Sequence, residues 1–159
     1  AGGIEAVFVA MQSHQGVADV QEAGCNALTS LAVTENKGKI AAGGGIEAVL
    51  AAMQAHEGVP GVQEAGCKAL RSLVVNTADI VEIAAAGGIN AVISTMQVHT
   101  GVAGVQEQGC GALRNPQHAT LSPHIREHTT RNIRNTVSNY CSIWKNNSRE
   151  SFSTSIINC

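Results

Sequence analysis

The sequence predicts an all-α chain organised as an α-solenoid. Three observations carry that expectation: a segment that returns at a nearly constant period, apolar residues spaced for helices inside each unit, and a glycine pair at each junction. Gly2-Gly3-Ile4-Glu5-Ala6-Val7 recurs as Gly44-Gly45-Ile46-Glu47-Ala48-Val49 and as Gly87-Gly88-Ile89-Asn90-Ala91-Val92. Met11-Gln12, Met53-Gln54 and Met96-Gln97 keep the same offsets, as do Val20-Gln21-Glu22, Val62-Gln63-Glu64 and Val105-Gln106-Glu107. The period is 42 residues and then 43. The extra residue falls near Asn76 to Ile83, which places it in a connection between units.

Each unit reads as three helices: short, medium and long. In the medium helix Ile4, Val7, Phe8 and Met11 form one stripe, repeated as Ile46, Val49, Leu50, Met53 and as Ile89, Val92, Ile93, Met96. A longer stripe runs through Val17, Val20, Gly24, Ala27, Leu28 and Leu31, with counterparts Val59, Val62, Gly66, Ala69, Leu70 and Leu73. Pro60 suits the first turn of that long helix, where its missing donor costs nothing. A shorter apolar segment, Lys39 to Ala42 or Ile80 to Ala86, precedes each Gly-Gly, which supplies the sharp turn between helices. Gly24, Gly66 and Gly109 fall inside the long helix at a cost of about 1 kcal/mol each relative to Ala. Close approach of another helix at those points is the expected compensation.

Three helices in this period, Gly-Gly-Ile opening the second, and Val-Gln-Glu-Ala-Gly-Cys-x-Ala-Leu-x-Ser-Leu in the third together resemble the armadillo repeat. HEAT repeats are the nearest rival, but they have two helices and usually lack the Gly-Gly junction. The resemblance covers residues 1–115, as a partial repeat over 1–34, a whole one over 35–77 and a truncated one over 78–115, where Pro116 follows Asn115. It implies a right-handed superhelix whose third helices line a concave groove for extended peptides. On those helices the polar stripe is Asp19, Glu22, Asn26 and Ser30, then Glu64, Lys68, Arg71 and Ser72, then Glu107, Arg114 and Asn115. These are the candidate partner-contacting residues, against the plainer reading of a solvated helix face. Peptide readers of the importin-alpha type carry a Trp and an Asn four residues apart on the third helix. Here the Trp position holds Asn26, Lys68 and Gly111 and the Asn position holds Ser30, Ser72 and Asn115, so only Asn115 agrees. A nuclear-localisation-signal receptor is not expected, although Glu22, Glu64 and Glu107 form an acidic row that favours a basic segment.

His14, His56 and His99 recur in register at the ends of the medium helices. Equivalent atoms of neighbouring repeats stand roughly 8 to 10 Å apart, whereas zinc needs every ligand nitrogen about 2.0 to 2.1 Å away. They are therefore expected as helix C-caps, bonding the last carbonyls. Cys25, Cys67 and Cys110 fail as disulfides on the same spacing and are expected as small buried residues. Five Cys, an odd number without a redox motif, suit a reducing compartment.

Composition agrees with this and shows where it stops. The chain has 159 residues, 44% of them apolar and 14% charged, with a net charge of -2, which suits one domain with a core and neither a disordered chain nor a strongly basic nucleic-acid binder. No apolar run approaches the roughly 18 to 20 residues that span a bilayer, and no secretory leader is legible. Ala1 is not an initiator Met, as in a fragment or a processed product. An intracellular location, cytoplasmic and/or nuclear, is expected.

All 17 Gly lie in residues 1–115, where 5 Lys/Arg face 10 Asp/Glu, while residues 116–159 carry 5 against 2. This Ser-, Thr- and Asn-rich tail shares nothing with the repeats and carries no recognised family pattern. Ser122-Pro123 suits a helix start, and Ile125, Ile133, Val137, Tyr140, Cys141 and Trp144 fall near one helical face, so a helical cap over 122–145 competes with a disordered tail. His118, His124, His128 and Cys141 supply zinc-type ligands without a paired-Cys or His-Glu-x-x-His motif, and Arg126, Arg131, Arg134, Lys145 and Arg149 are a mild basic excess. The tail also reads as the product of an alternative or erroneous coding frame.

No phosphate-binding Gly-rich loop with a following Lys-Ser/Thr and no nucleophile elbow occurs in the repeats. The expectation is a non-enzymatic protein–protein interaction module with a protein or peptide partner, without cofactor or metal and without a membrane or nucleic-acid partner. The alternative is nucleic-acid or zinc binding through the tail.

Overall fold

The computed structural model describes residues 2–74, 83 and 85–113. Arg114, Asn115, the tail over 116–159 with its expected cap, and most of the helix expected over Ile80 to Ala86 lie outside the described residues. Among the described residues there are seven helices and no strand. The first repeat contributes α1 (Gly3–Ser13) and α2 (Ala18–Leu31), and the second contributes α3 (Thr34–Ala42), α4 (Gly45–Ala55) and α5 (Pro60–Leu73). The third contributes α6 (Gly88–Val98) and α7 (Ala103–Leu113). Lengths of 9, 11 and 14 residues in the second repeat match the short, medium and long pattern.

The two glycines of each junction do different work. Gly44 takes φ +84° and Gly87 takes φ +80°, the left-handed conformation that only glycine adopts without steric cost, and this turns the chain from the short helix into the medium one. The glycine that follows is needed for space. A Cβ on Gly45 would stand 2.5 Å from Ile40 Cγ2 and 2.7 Å from the Ile40 carbonyl oxygen, and Gly88 meets Ile83 in the same way at 2.6 and 2.9 Å. Backbone carbonyls cannot step aside, so both positions are closed to a side chain. Ile40, fully buried, is thereby clamped between short and medium helices.

Long helices stack side by side, α2 on α5 and α5 on α7, and each medium helix packs on its own long helix. Leu28, Ile46, Val49, Met53, Val62, Leu73 and Val105 form the buried interior between them. The expected compensation for the helical glycines is present as methionine: a Cβ on Gly24, Gly66 or Gly109 would lie 2.5, 2.5 or 2.6 Å from Cγ of Met11, Met53 or Met96. Each Met is 2% exposed. Burying such a side chain contributes about 1.5–3 kcal/mol, which outweighs the propensity lost at the glycine. Pro60 opens α5 as its first helical residue.

Candidate interaction surface

What holds the polar stripe in place is a set of hydrogen bonds beneath it. Gln21 Nε2 donates to the carbonyls of Met11 and His14 at 2.9 and 2.9 Å. Gln63 repeats this with Met53 and His56 at 2.8 and 2.8 Å, and Gln106 with Met96 and His99 at 2.9 and 3.0 Å. The last carbonyls of a helix have no intrahelical partner, so a glutamine from the long helix closes the end of the medium helix. In the third repeat Thr95 Oγ1 also donates to Gln63 Oε1 at 2.5 Å. Sequence reasoning missed this role, although the recurring Gln amid apolar positions was its visible trace.

The histidines correct the cap expected of them. Their backbone N–H groups do close the medium helices, His56 to Ala52 and His99 to Thr95. Their rings reach the preceding repeat instead: His56 Nε2 meets the Gln15 carbonyl at 2.8 Å and His99 Nε2 the Glu57 carbonyl at 2.7 Å. A carbonyl only accepts, so Nε2 carries the proton. The histidine row therefore ties repeat to repeat, and Gln15 and Glu57 are equivalent positions of successive turns. Among the described residues no group of three or more His, Cys, Asp or Glu is placed to hold a metal.

Cys25 and Cys67 are fully buried thiols, as expected. Burial, with a smaller push from Glu22, raises Cys25 to about 12. Burial followed by Cys110, Cys25 and Glu64 raises Cys67 to about 12. Thiolate is the reactive form, so both are inert at neutral pH.

On the long helices the candidate residues divide. Asp19, Asn26 and Ser30 of α2, Lys68 and Arg71 of α5 and Glu107 of α7 are exposed; Glu22, Glu64 and Ser72 are half-buried. Arg114 and Asn115 lie outside the described residues. Ser30 Oγ donates back to the Asn26 carbonyl at 3.0 Å. The acidic row is not uniform. The Glu22 carboxylate lies against Gly61 in the first turn of α5, and the Glu64 carboxylate against Gly104 in the first turn of α7, each filling the space a Cβ there would need. Helix N-termini favour an anion, so two of the three acids serve the next long helix and only Glu107 stands exposed. Arg71 crosses likewise to α7, its Nη1 2.7 Å from where a Cβ on Gly111 would be. Glycine at 61, 104 and 111 is thus the sequence signal for side chains arriving from the neighbouring repeat.

The family model described as the LRRK2 ARM repeat matches residues 2–123, a span that contains every described helix. The chain belongs to the ARM-repeat family. No curated protein and no solved structure matches it. As an ARM-repeat chain it is an all-α solenoid whose units meet through long helices, the histidine row and the acid-to-helix contacts. No helix among the described residues is long and apolar enough to cross a membrane.

Proposed function

We propose that this ARM-repeat chain is a non-enzymatic protein-interaction module whose partner, a protein or peptide, lies as an extended segment along the face shared by α2, α5 and α7. One observation supports this reading most directly: Asn26, Ser30, Lys68 and Arg71 are exposed on adjacent long helices whose opposite sides are packed into the core. Neighbouring helices are spaced by roughly 8–10 Å, and an extended chain advances about 3.3 Å per residue. Every third residue of such a chain meets a new helix. Asn26 offers both donors and an acceptor to a peptide backbone, and the core beneath limits what has to be ordered on binding.

The test is an array of extended peptides of unbiased sequence probed with the intact chain. Asn26→Arg on α2 is expected to weaken the bound peptides at least about tenfold, while Glu5→Lys, exposed on α1, leaves them unchanged. Binding that survives Asn26→Arg and disappears with Glu5→Lys would move the surface to the medium helices and end this reading.

A further inference from the structure

We propose that the end of the first repeat, formed by α1 and α2, is a docking surface for one further helical repeat whose long helix places Lys or Arg where Glu22 and Glu64 stand. It is a second surface, at the end of the stack rather than along it. The two later repeats show what such an end receives. α1 packs on α4 and α2 on α5, and the contacts between repeats keep one polarity. His56 and His99 reach back to the carbonyls of Gln15 and Glu57, while the Glu22 and Glu64 carboxylates reach forward onto Gly61 and Gly104.

The first repeat carries the same receiving parts. His14 ends α1 at φ −125° and ψ 42°, as His56 ends α4 at −126° and 42°, and its N–H closes the helix on the Ala10 carbonyl at 3.1 Å. Its ring therefore starts from the same point. His14 is exposed, where His56 is half-buried and His99 buried, and no earlier repeat stands before it among the described residues. Ala10 and Ala23 are exposed, where their equivalents Ala52 and Ala65 are 3% and 4% exposed. Gly2, at φ +120°, keeps the positive φ of the junction glycines Gly44 and Gly87.

Asp19 sets the charge of the occupant. It holds the position of Gly61 and Gly104, so a Cβ fills the space that an arriving carboxylate takes in the later repeats, and its own carboxylate supplies the anion for the first turn of α2. A second carboxylate brought beside it is repelled, whereas Lys or Arg pairs with it. A second copy of this chain does not qualify. Its last described long helix offers Glu107, exposed, at the position of Glu22 and Glu64. Head-to-tail addition of identical chains runs on as an open filament, and here it sets Glu107 against Asp19. The occupant is a repeat of another sequence.

The test extends the intact chain at its N-terminus by an added copy of residues 1–42, one full period, and follows urea unfolding by circular dichroism. Glu22→Lys in the added copy is expected to raise the urea midpoint. With Asp19→Gly in the original first repeat the order should reverse, the added Glu22 giving the higher midpoint as its counterparts do against Gly61 and Gly104. His14→Ala in the original repeat should leave the unextended chain unchanged and lower the midpoint of the extended Lys form. A midpoint indifferent to the residue at the added position 22 would overturn the cationic partner, and so would a preference for Glu22 in both backgrounds. His14→Ala without effect in either chain, or an extended chain of lower ellipticity per residue than the original, would overturn the docking surface itself.

Discussion

At the scale of single residues, glycine and methionine act as one unit. Gly66→Ala raises helix propensity by about 1 kcal/mol, yet the new methyl would stand 2.5 Å from Met53 Cγ. Overpacking of this kind costs about 1–3 kcal/mol, so a net loss of stability is expected in urea melts. In a Met53→Ala background the same substitution should become neutral or stabilising. The double-mutant cycle reads the coupling directly, and strict additivity would refute the contact. Cys25 and Cys67 give a second residue-scale expectation, because both titrate near 12 when folded against an ordinary 9.0. A raised pKa means the folded state holds its proton longer than the unfolded one. Their stabilising share is therefore full below pH 9.0, declines as pH rises above it, and is exhausted near 12. Peptide-resolved alkylation at pH 8 should leave both unlabelled until urea unfolds the chain.

At the scale of elements, the ends of the helices decide more than their interiors. Gln63 is 1% exposed and satisfies two carbonyls at the end of α4 while accepting from Thr95. Removing it leaves the Met53 carbonyl without its side-chain donor and the Thr95 hydroxyl without its acceptor, each worth about 1–3 kcal/mol, whereas the His56 carbonyl keeps the Val59 N–H at 3.0 Å. Gln63→Ala is expected to lower unfolding free energy by about 2–4 kcal/mol, and Gln106→Ala by less, since Gln106 is half-buried and serves the third repeat without a threonine partner. Chemical denaturation of the two variants side by side checks the order. The acids work at the opposite helix end: Glu22 and Glu64 place charge at the first turns of α5 and α7, and Asp19 sits in the first turn of α2 within its own helix. Asp19 occupies the position held by Gly61 and Gly104. The first long helix thus carries its own anion where its successors receive one from the preceding repeat.

For the described repeats taken as a whole, stability is expected to be graded along the array, since each unit contacts only its neighbours. Ile46, Val49 and Leu50 of α4 are buried, while their counterparts Ile4, Val7 and Phe8 of α1 are half-buried. Val62 is buried where Val20 is half-buried, and Ala65 is buried where Ala23 is exposed. Hydrogen exchange should accordingly be slowest in α4 and α5 and faster in α1 by at least about tenfold. Uniform protection across α1, α4 and α5 would contradict a nearest-neighbour solenoid. The two inter-repeat histidine bonds, at 2.8 and 2.7 Å, reinforce the same neighbours.

The sequence by itself determined the solenoid. Period, apolar spacing and the Gly-Gly pairs are local or strictly repeated features, and the helix boundaries near Pro60, Gly44 and Gly87 follow from backbone chemistry that needs no partner. The buried methionine row and the buried Cys25 and Cys67 were legible for the same reason, as apolar positions recurring at helical spacing, whereas Cys110, expected to be buried with them, is half-buried in the last described long helix. Where polar side chains end up was decided only in the tertiary structure. His56 and His99 are capping residues by sequence position, but their rings find carbonyls one repeat away; Glu22 and Glu64 belong to the surface stripe by helical register, but their carboxylates settle on glycines of the next long helix. A long polar side chain can satisfy its charge or hydrogen bond on any neighbour within reach, and which neighbour comes within reach is fixed by stacking.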